Sequence, residues 1–381
     1  MHIGLISRGD VDYAVDLANE LNEAGVTVTL YLCQAHVEQA VDTPDRPIER
    51  LYEMQLLPRT CKVRLIRLPR MRDPRSFAVI HRLSNTMRDD GVEVAHILLG
   101  PGELWLAVLA CLLRNMPVTS TMIVPQPNIG EELPLFVVWA VHKLLAYGSD
   151  MVIVNGADQV ALVQKLYGVP ISRIAYLPLG IGKAATKWAT QGNTEERGTV
   201  LFFGSARPYK GLEYLIQAQP LITRQVPYAR ILISAHGKDL ERYRQMIQDS
   251  SRFEIHESFV TNDVAAGFFE RACLVALPYI SASTSGVLMS AYAFGKPVVA
   301  TRVGCLPEYV EDRVTGLLVS PSDVEELASA IICLLSDDAL RHRMGEKAKR
   351  WVEKEQKKIA IQLIRVYEKA ISLHRKIRKT E

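Results

Sequence analysis

The stretch Val200-Leu201-Phe202-Phe203-Gly204-Ser205-Ala206-Arg207-Pro208-Tyr209-Lys210-Gly211-Leu212-Glu213-Tyr214-Leu215-Ile216 changes character twice. Its apolar start reads as a buried strand, the polar run holding Gly204, Pro208 and Gly211 as a loop, and Leu212, Leu215 and Ile216 as one face of a helix. A strand that feeds a helix through a short loop is the first half of a βαβ unit, so a parallel sheet is expected.

Downstream, apolar runs at 231–234, 253–255, 274–278, 297–301 and 317–319 continue the alternation. Upstream, runs at 3–7, 26–32, 96–99, 118–122, 151–154 and 174–178 form an earlier series, and residues 182–198 lose the pattern and read as a linker. Two Rossmann-like, doubly wound α/β domains follow, over 1–181 and 199–350, with a basic amphipathic helix over 351–381. That helix carries Ile359, Leu363, Val366, Ala370, Leu373 and Ile377 on one face. Ligands of such sheets bind beyond the carboxyl ends of the strands, so the expected site is a cleft across which the two domains face.

The 381 residues are 48% hydrophobic and 23% charged, a globular composition that excludes disorder and fibrous repeats. Six cysteines without a CxxC pair suggest reduced thiols, and the chain opens directly into a strand, so a cytoplasmic protein without a secretory signal is expected. The uncharged stretch 272–295 is interrupted by Pro278, Gly286 and several hydroxyl residues and does not read as a membrane span. Net charge is +3, yet residues 59–75 hold seven basic residues against Asp73, and 341–381 hold fourteen against five acids. For 59–75 two uses are open: a strand with basic edges, or peripheral contact with an anionic inner membrane face. The apolar run 133–145 reads as a core helix or a segment that dips into lipid. No nucleic-acid recognition motif accompanies the charge, so no nucleic-acid partner is expected. No histidine has metal-ligand spacing; His96, His142 and His236 read as structural, with His236 at the carboxyl end of its strand.

Neither GxGxxG nor GxxxxGK[ST] occurs, which argues against a nicotinamide site or P-loop. Arg207 and Lys210 nevertheless share one loop at a strand's carboxyl end, where a guanidinium fork and a flexible ammonium could reach one diphosphate, or stand as two solvated cations. A second loop, Tyr279-Ile280-Ser281-Ala282-Ser283-Thr284-Ser285-Gly286, precedes an apolar helix whose first N–H groups attract anions, or are simply capped by a serine.

The run Phe-Gly-Lys-Pro-Val-Val-Ala-Thr-Arg-Val-Gly-Cys-Leu-Pro-Glu-Tyr-Val-Glu-Asp-Arg-Val-Thr-Gly-Leu-Leu-Val at 294–319, with Pro-Tyr-Lys-Gly at 208–211, closely resembles glycosyltransferase family 4 of the GT-B type. The resemblance covers 199–335 well and is weaker but collinear over 1–180. It implies a retaining transferase without a metal or other cofactor, and a C-terminal helix that returns to the N-terminal domain. It also implies a nucleotide-diphosphate sugar donor held by a lysine and an arginine. Lys210 matches the family lysine; the usual arginine position holds Ser205, and its role is carried to Arg207. Gly204, Ser283, Thr284, Ser290 and the backbone donors of Ser285, Gly286 and Val287 complete the donor side, with Val260 against the nucleobase. Gly9, Asp10 and Asn128 are the acceptor-side candidates.

Three positions depart from the family pattern. Where it carries two glutamates with seven residues between them, this chain has Ala282 and Ser290, and the usual histidine of the amino half aligns with Ile123. Two readings stay open. One is a transferase that moves a sugar to a glycan or lipid-linked acceptor in cell-surface polysaccharide or glycoconjugate synthesis. The other is a non-catalytic relative that serves as a binding or partner subunit.

Overall fold

The structure is a computed structural model, and it describes all residues except 10, 42–44, 68–72, 74, 101–102, 114, 127–133, 180–181, 190–192 and 381, with only the backbone described at 99, 183 and 377–380. The chain forms two compact units. One takes most of residues 1–179 together with 355–381, the other 180–354.

The first unit is built on a seven-stranded parallel sheet: β1 (His2–Ser7), β2 (Thr27–Cys33), β3 (Lys62–Ile66), β4 (Val94–Leu99), β5 (Val118–Met122), β6 (Met151–Val154) and β7 (Ile174–Tyr176), in the order β3-β2-β1-β4-β5-β6-β7. The reversal of order at β1 is the doubly wound pattern expected from the alternation. Ile6, Ile97, Val118 and Val152 pack with Leu106, Val141 and Leu145 of the covering helices. Residues 59–75 do supply a strand, β3, at the edge of this sheet.

The second unit carries a six-stranded parallel sheet: β8 (Thr199–Ser205), β9 (Arg230–His236), β10 (Phe253–His256), β11 (Leu274–Leu277), β12 (Val298–Thr301) and β13 (Gly316–Val319), in the order β10-β9-β8-β11-β12-β13. Both sheets are therefore Rossmann-like, as the sequence implied. β8 and β11 are neighbours, so the two loops singled out in the sequence leave adjacent strand ends.

The long helix Asp338–Thr380 starts earlier than its basic apolar-striped part, and from residue 355 it belongs to the first unit. There Tyr367 is fully buried, with its hydroxyl 2.7 Å from Nδ1 of His96, whose Nε2 lies 2.8 Å from Thr121 Oγ1. His374 lies 3.2 Å from Asp150 in the same unit. Burial pushes the His96 imidazole down to about 3, so the ring is neutral and serves the fold.

Residues 182–198 correct the linker reading. Lys183–Lys187 is helical, Trp188 is 3% exposed, and a Cβ on Gly182 would sit 2.7 Å from the Met289 carbonyl oxygen. Glu195 pairs with Lys296 at 2.8 Å and Arg341 at 2.9 Å, while Glu196 pairs with Arg271 at 2.7 Å. Single anchors, not a repeating apolar pattern, tie this segment to the second unit, so periodicity carried no trace of it.

Candidate functional site

The carboxyl ends of β8 and β11 bring most of the donor-side candidates together. β8 ends through Gly204, whose φ of +116° suits glycine. A Cβ there would lie 3.8 Å from both Lys210 Nζ and Val287 Cγ2, so strand end, lysine and helix start converge on one backbone position. The chain then makes the 3-10 turn Pro208–Lys210, closed by Gly211 at φ +64°. Any side chain at Gly211 would collide with the Pro278 carbonyl oxygen, and the Ile280 N–H donates to the Tyr209 carbonyl at 2.8 Å. The two loops are thus fastened to each other through main chain.

Lys210 is the centre of this arrangement. It is 9% exposed, and no carboxylate pairs with it among the described residues. Its Nζ donates to the Tyr279 hydroxyl at 2.7 Å and lies 4.2 Å from that ring's centroid and 5.6 Å from that of Tyr209. Burial opposes the charge, but the phenols of Tyr279 and Tyr209 outweigh it and hold the ammonium above the ordinary lysine value, so Lys210 is charged at neutral pH. The Tyr279 hydroxyl, on a side chain 1% exposed, continues to Ser285 Oγ at 3.4 Å. Ser285 caps the helix Gly286–Ala293, accepting from the Leu288 N–H at 3.3 Å. A buried cation and a helix N-terminus therefore share one hydrogen-bonded unit. Both favour an anion.

The remaining candidates fall around it. Gly286 is exposed, with open space where its Cβ would be, and Ser283, Thr284, Val287 and Ser290 are half-buried. Ala282 is close-packed by its carbonyl against Gly304, where a Cβ would collide. Arg207 is half-buried beside His236, at the end of β9, whose pKa is lowered by burial and then by the Arg207 charge. Val260 is half-buried next to Phe259, which is 61% exposed with its ring 5.6 Å from that of His236. Tyr279 and Phe259 were not singled out in the sequence. The first follows a buried strand and is indistinguishable there from a core aromatic; the second shows itself only by exposure.

In the first unit Gly9 follows β1 beside His36, whose ring atoms lie 3.9 Å and 4.0 Å from where a Cβ would be. Asp10 and Asn128 lie outside the described residues. Ile123, half-buried, directly follows β5. In the basic stretch, Lys62 and Arg64 both pair with Asp90 at 2.5 Å, and Arg75 pairs with Asp73 at 2.6 Å. Among the described residues, then, three of the seven basic side chains of the stretch are paired with carboxylates within the fold. Among the described residues no helix is long and apolar enough to cross a membrane, and no group of three His, Cys, Asp or Glu side chains is placed to hold a metal.

Two protein-family models match: one described as a glycosyl transferase 4-like domain over residues 9–180, and one described as glycosyl transferases group 1 over 197–337. The D-inositol 3-phosphate glycosyltransferase of Pseudarthrobacter chlorophenolicus is 28% identical over 88% of this chain and 84% of its own. The alpha-D-kanosaminyltransferase of Streptomyces kanamyceticus is 28% identical over 50% of this chain and 52% of its own. Among solved structures, sucrose-phosphate synthase from Thermosynechococcus elongatus superposes with a TM-score of 0.71 at 19% identity, covering 98% of this chain and 99% of that one. HepE of Anabaena, solved with UDP and glucose, superposes with a TM-score of 0.68 at 15% identity, covering 100% and 99%. With one family model on each half in chain order, and both halves folded as parallel Rossmann-like sheets, the chain belongs to the family 4 glycosyltransferases of the GT-B type.

Proposed function

We propose that the chain moves a sugar from a nucleoside-diphosphate sugar, with retention of configuration, to a glycan or lipid-linked acceptor in cell-surface polysaccharide or glycoconjugate synthesis. The observation that carries this reading is Lys210, a buried ammonium held by a phenol and lacking a carboxylate partner among the described residues. An unpaired buried charge is costly, and an incoming diphosphate would neutralise it.

In this reading Lys210 and Arg207 take the diphosphate oxygens, and the free N–H groups at Gly286 and Val287 lie where the helix potential is positive. The bond between the sugar's anomeric carbon and the phosphate oxygen breaks, leaving negative charge on the diphosphate that these groups stabilise. The acceptor hydroxyl forms its new bond on the same face, and its proton passes to the departing phosphate oxygen. That route uses no separate base on the protein. Phe259, exposed beside His236 and next to Val260, offers an apolar platform for the nucleobase. The free thiols suit a reducing compartment, and the reading places the protein in the cytoplasm, in peripheral contact with the inner membrane face.

The test is product analysis with a panel of nucleoside-diphosphate sugars, the purified chain and candidate acceptors, with NMR of the new anomeric centre. The reading expects transfer, or slow donor hydrolysis, from at least one donor with the anomeric configuration kept. Inverted product would overturn the retaining mechanism, and inertness toward every donor would overturn the donor assignment.

A further inference from the structure

β8 and β9 run side by side with Ser205 level with His236, so these two side chains leave the sheet on one face. Earlier on that face Phe203 packs on Phe269 of the helix Asn262–Arg271, with ring centroids 5.2 Å apart, and Ser234 is 3% exposed. The cover ends there, and His236 is exposed. Its ring meets that of Phe259 at 5.6 Å, tilted by 56°. Its carbonyl accepts from the Ala206 N–H at 2.8 Å, which ties the end of β9 to the loop that carries Arg207 and Lys210. Gly237 then turns the chain at φ +129°, where a Cβ would lie 3.7 Å from the Ala206 nitrogen. An imidazole, a guanidinium and the buried ammonium therefore stand at adjoining strand ends.

The charged side chains around the ring come from three segments. On the loop after β8, Lys210 is held by Tyr279 and Arg207 is the cation whose charge is felt at the imidazole. Burial first, and then that charge, hold the His236 pKa below its ordinary value, so the ring is neutral at pH 7. On the segment that carries Phe259, Glu257 is taken by Arg244 at 2.7 Å, and Asp263 lies in the first turn of its helix. Lys238 and Asp239 follow His236 on its own loop.

We propose that His236 is a further donor-side residue: its imidazole takes up a proton from solvent as a diphosphate binds beside Arg207, and the imidazolium donates a hydrogen bond to that diphosphate. The inference rests on the donor reading and adds proton uptake to it. In the free protein, a proton on the ring would meet the repulsion of Arg207. A bound diphosphate brings negative charge between the two, cancels that repulsion and replaces it with attraction, so the charged ring becomes the favoured form. An N–H donated from a charged ring to a phosphate oxygen is also a stronger hydrogen bond than one from a neutral ring. The complex thus holds more protons than its separated parts. Affinity therefore rises as the pH falls through the range in which the free ring is neutral and the bound ring charged.

The experiment titrates UDP and GDP into the full chain by calorimetry at about pH 8 and about pH 6, in two buffers of different ionisation enthalpy that count the protons taken up. For the diphosphate that binds, the proposal expects affinity to rise by about threefold to tenfold from the higher pH to the lower. His236→Gln keeps a polar side chain but cannot take the proton, so it should lose most of that rise and take up fewer protons, by up to about one. Titration of the nucleotide's own terminal phosphate is common to both proteins and cancels in the comparison. Binding retained by the variant at the higher pH shows that it is folded. NMR of the chain with labelled histidine follows the ring itself. Its titration midpoint should move up when the diphosphate is bound, and also in the free Arg207→Gln protein, where the neighbouring charge is gone. Equal pH dependence in the unaltered chain and in His236→Gln, or a midpoint that stays in place on binding, would overturn this inference and leave the donor reading standing. Binding of neither diphosphate at either pH would overturn the donor reading and this inference with it.

Discussion

At the scale of the residue, the donor side depends on how Lys210 is held. Tyr279 meets it with both ring and hydroxyl and touches the cap of the next helix through Ser285. Tyr279→Phe keeps the ring and removes the hydroxyl, so calorimetry with UDP should show affinity weakened by about tenfold or more, the cost of one lost hydrogen bond to a charged group. Circular dichroism should be unchanged. The missing carboxylates are argued at the same scale. Ala282 and Ser290 offer one hydroxyl between them, so Ser283 and Thr284 are the nearest side chains able to meet the donor sugar. Ser283→Ala and Thr284→Ala should each lower turnover by about tenfold, equivalent to about 1.4 kcal/mol of transition-state stabilisation. Turnover indifferent to both would place the sugar elsewhere. Lys210 and Arg207 could be picked out in the sequence because they share one loop at a strand's carboxyl end. Tyr279 was not, because its role rests on a contact 69 residues away in the chain.

Elements were the most legible level, and the reason is geometric. A strand buried on both faces is a run of apolar residues and a covering helix is a 3.6-residue stripe, so β1, β2 and β4 to β13 announce themselves locally. What did not announce itself was held by single side chains. The segment over 182–198 is fixed by Trp188, Glu195 and Glu196, and the C-terminal helix, itself legible from its apolar stripe, is anchored by the Tyr367 contact with His96 that the stripe does not reveal. The His96 contact makes a pH prediction. The folded pKa, about 3, lies below the ordinary 6.5, so the unfolded chain binds the extra proton. Stability is therefore full above about pH 6.5 and falls as the pH drops below it. Urea midpoints should decline between pH 7 and pH 5, and His96→Gln should flatten that decline. His142, pushed down to about 4 by burial, contributes in the same direction and is not removed by the variant, so the flattening is partial.

Over the whole molecule, charge and fold divide the work. The net charge of +3 conceals basic segments at 59–75 and 341–381, and in the first Lys62 and Arg64 pair with Asp90 and Arg75 with Asp73. If Lys210, Arg207 and a helix N-terminus carry the diphosphate charge, as proposed, no metal is needed there. Transfer should proceed unchanged with a chelator present, and a strict requirement for magnesium or manganese would refute that division of labour. The central claim is that the buried Lys210, which pairs with no carboxylate among the described residues, and the neighbouring Arg207 hold the donor diphosphate. Calorimetric titration of UDP and GDP into the unaltered chain and into the Lys210→Ala, Arg207→Ala double variant tests it most directly. The account predicts saturable binding of at least one diphosphate to the unaltered chain and a loss of about a hundredfold or more in the double variant, from two charge-assisted contacts; equal affinity in the two proteins would contradict it.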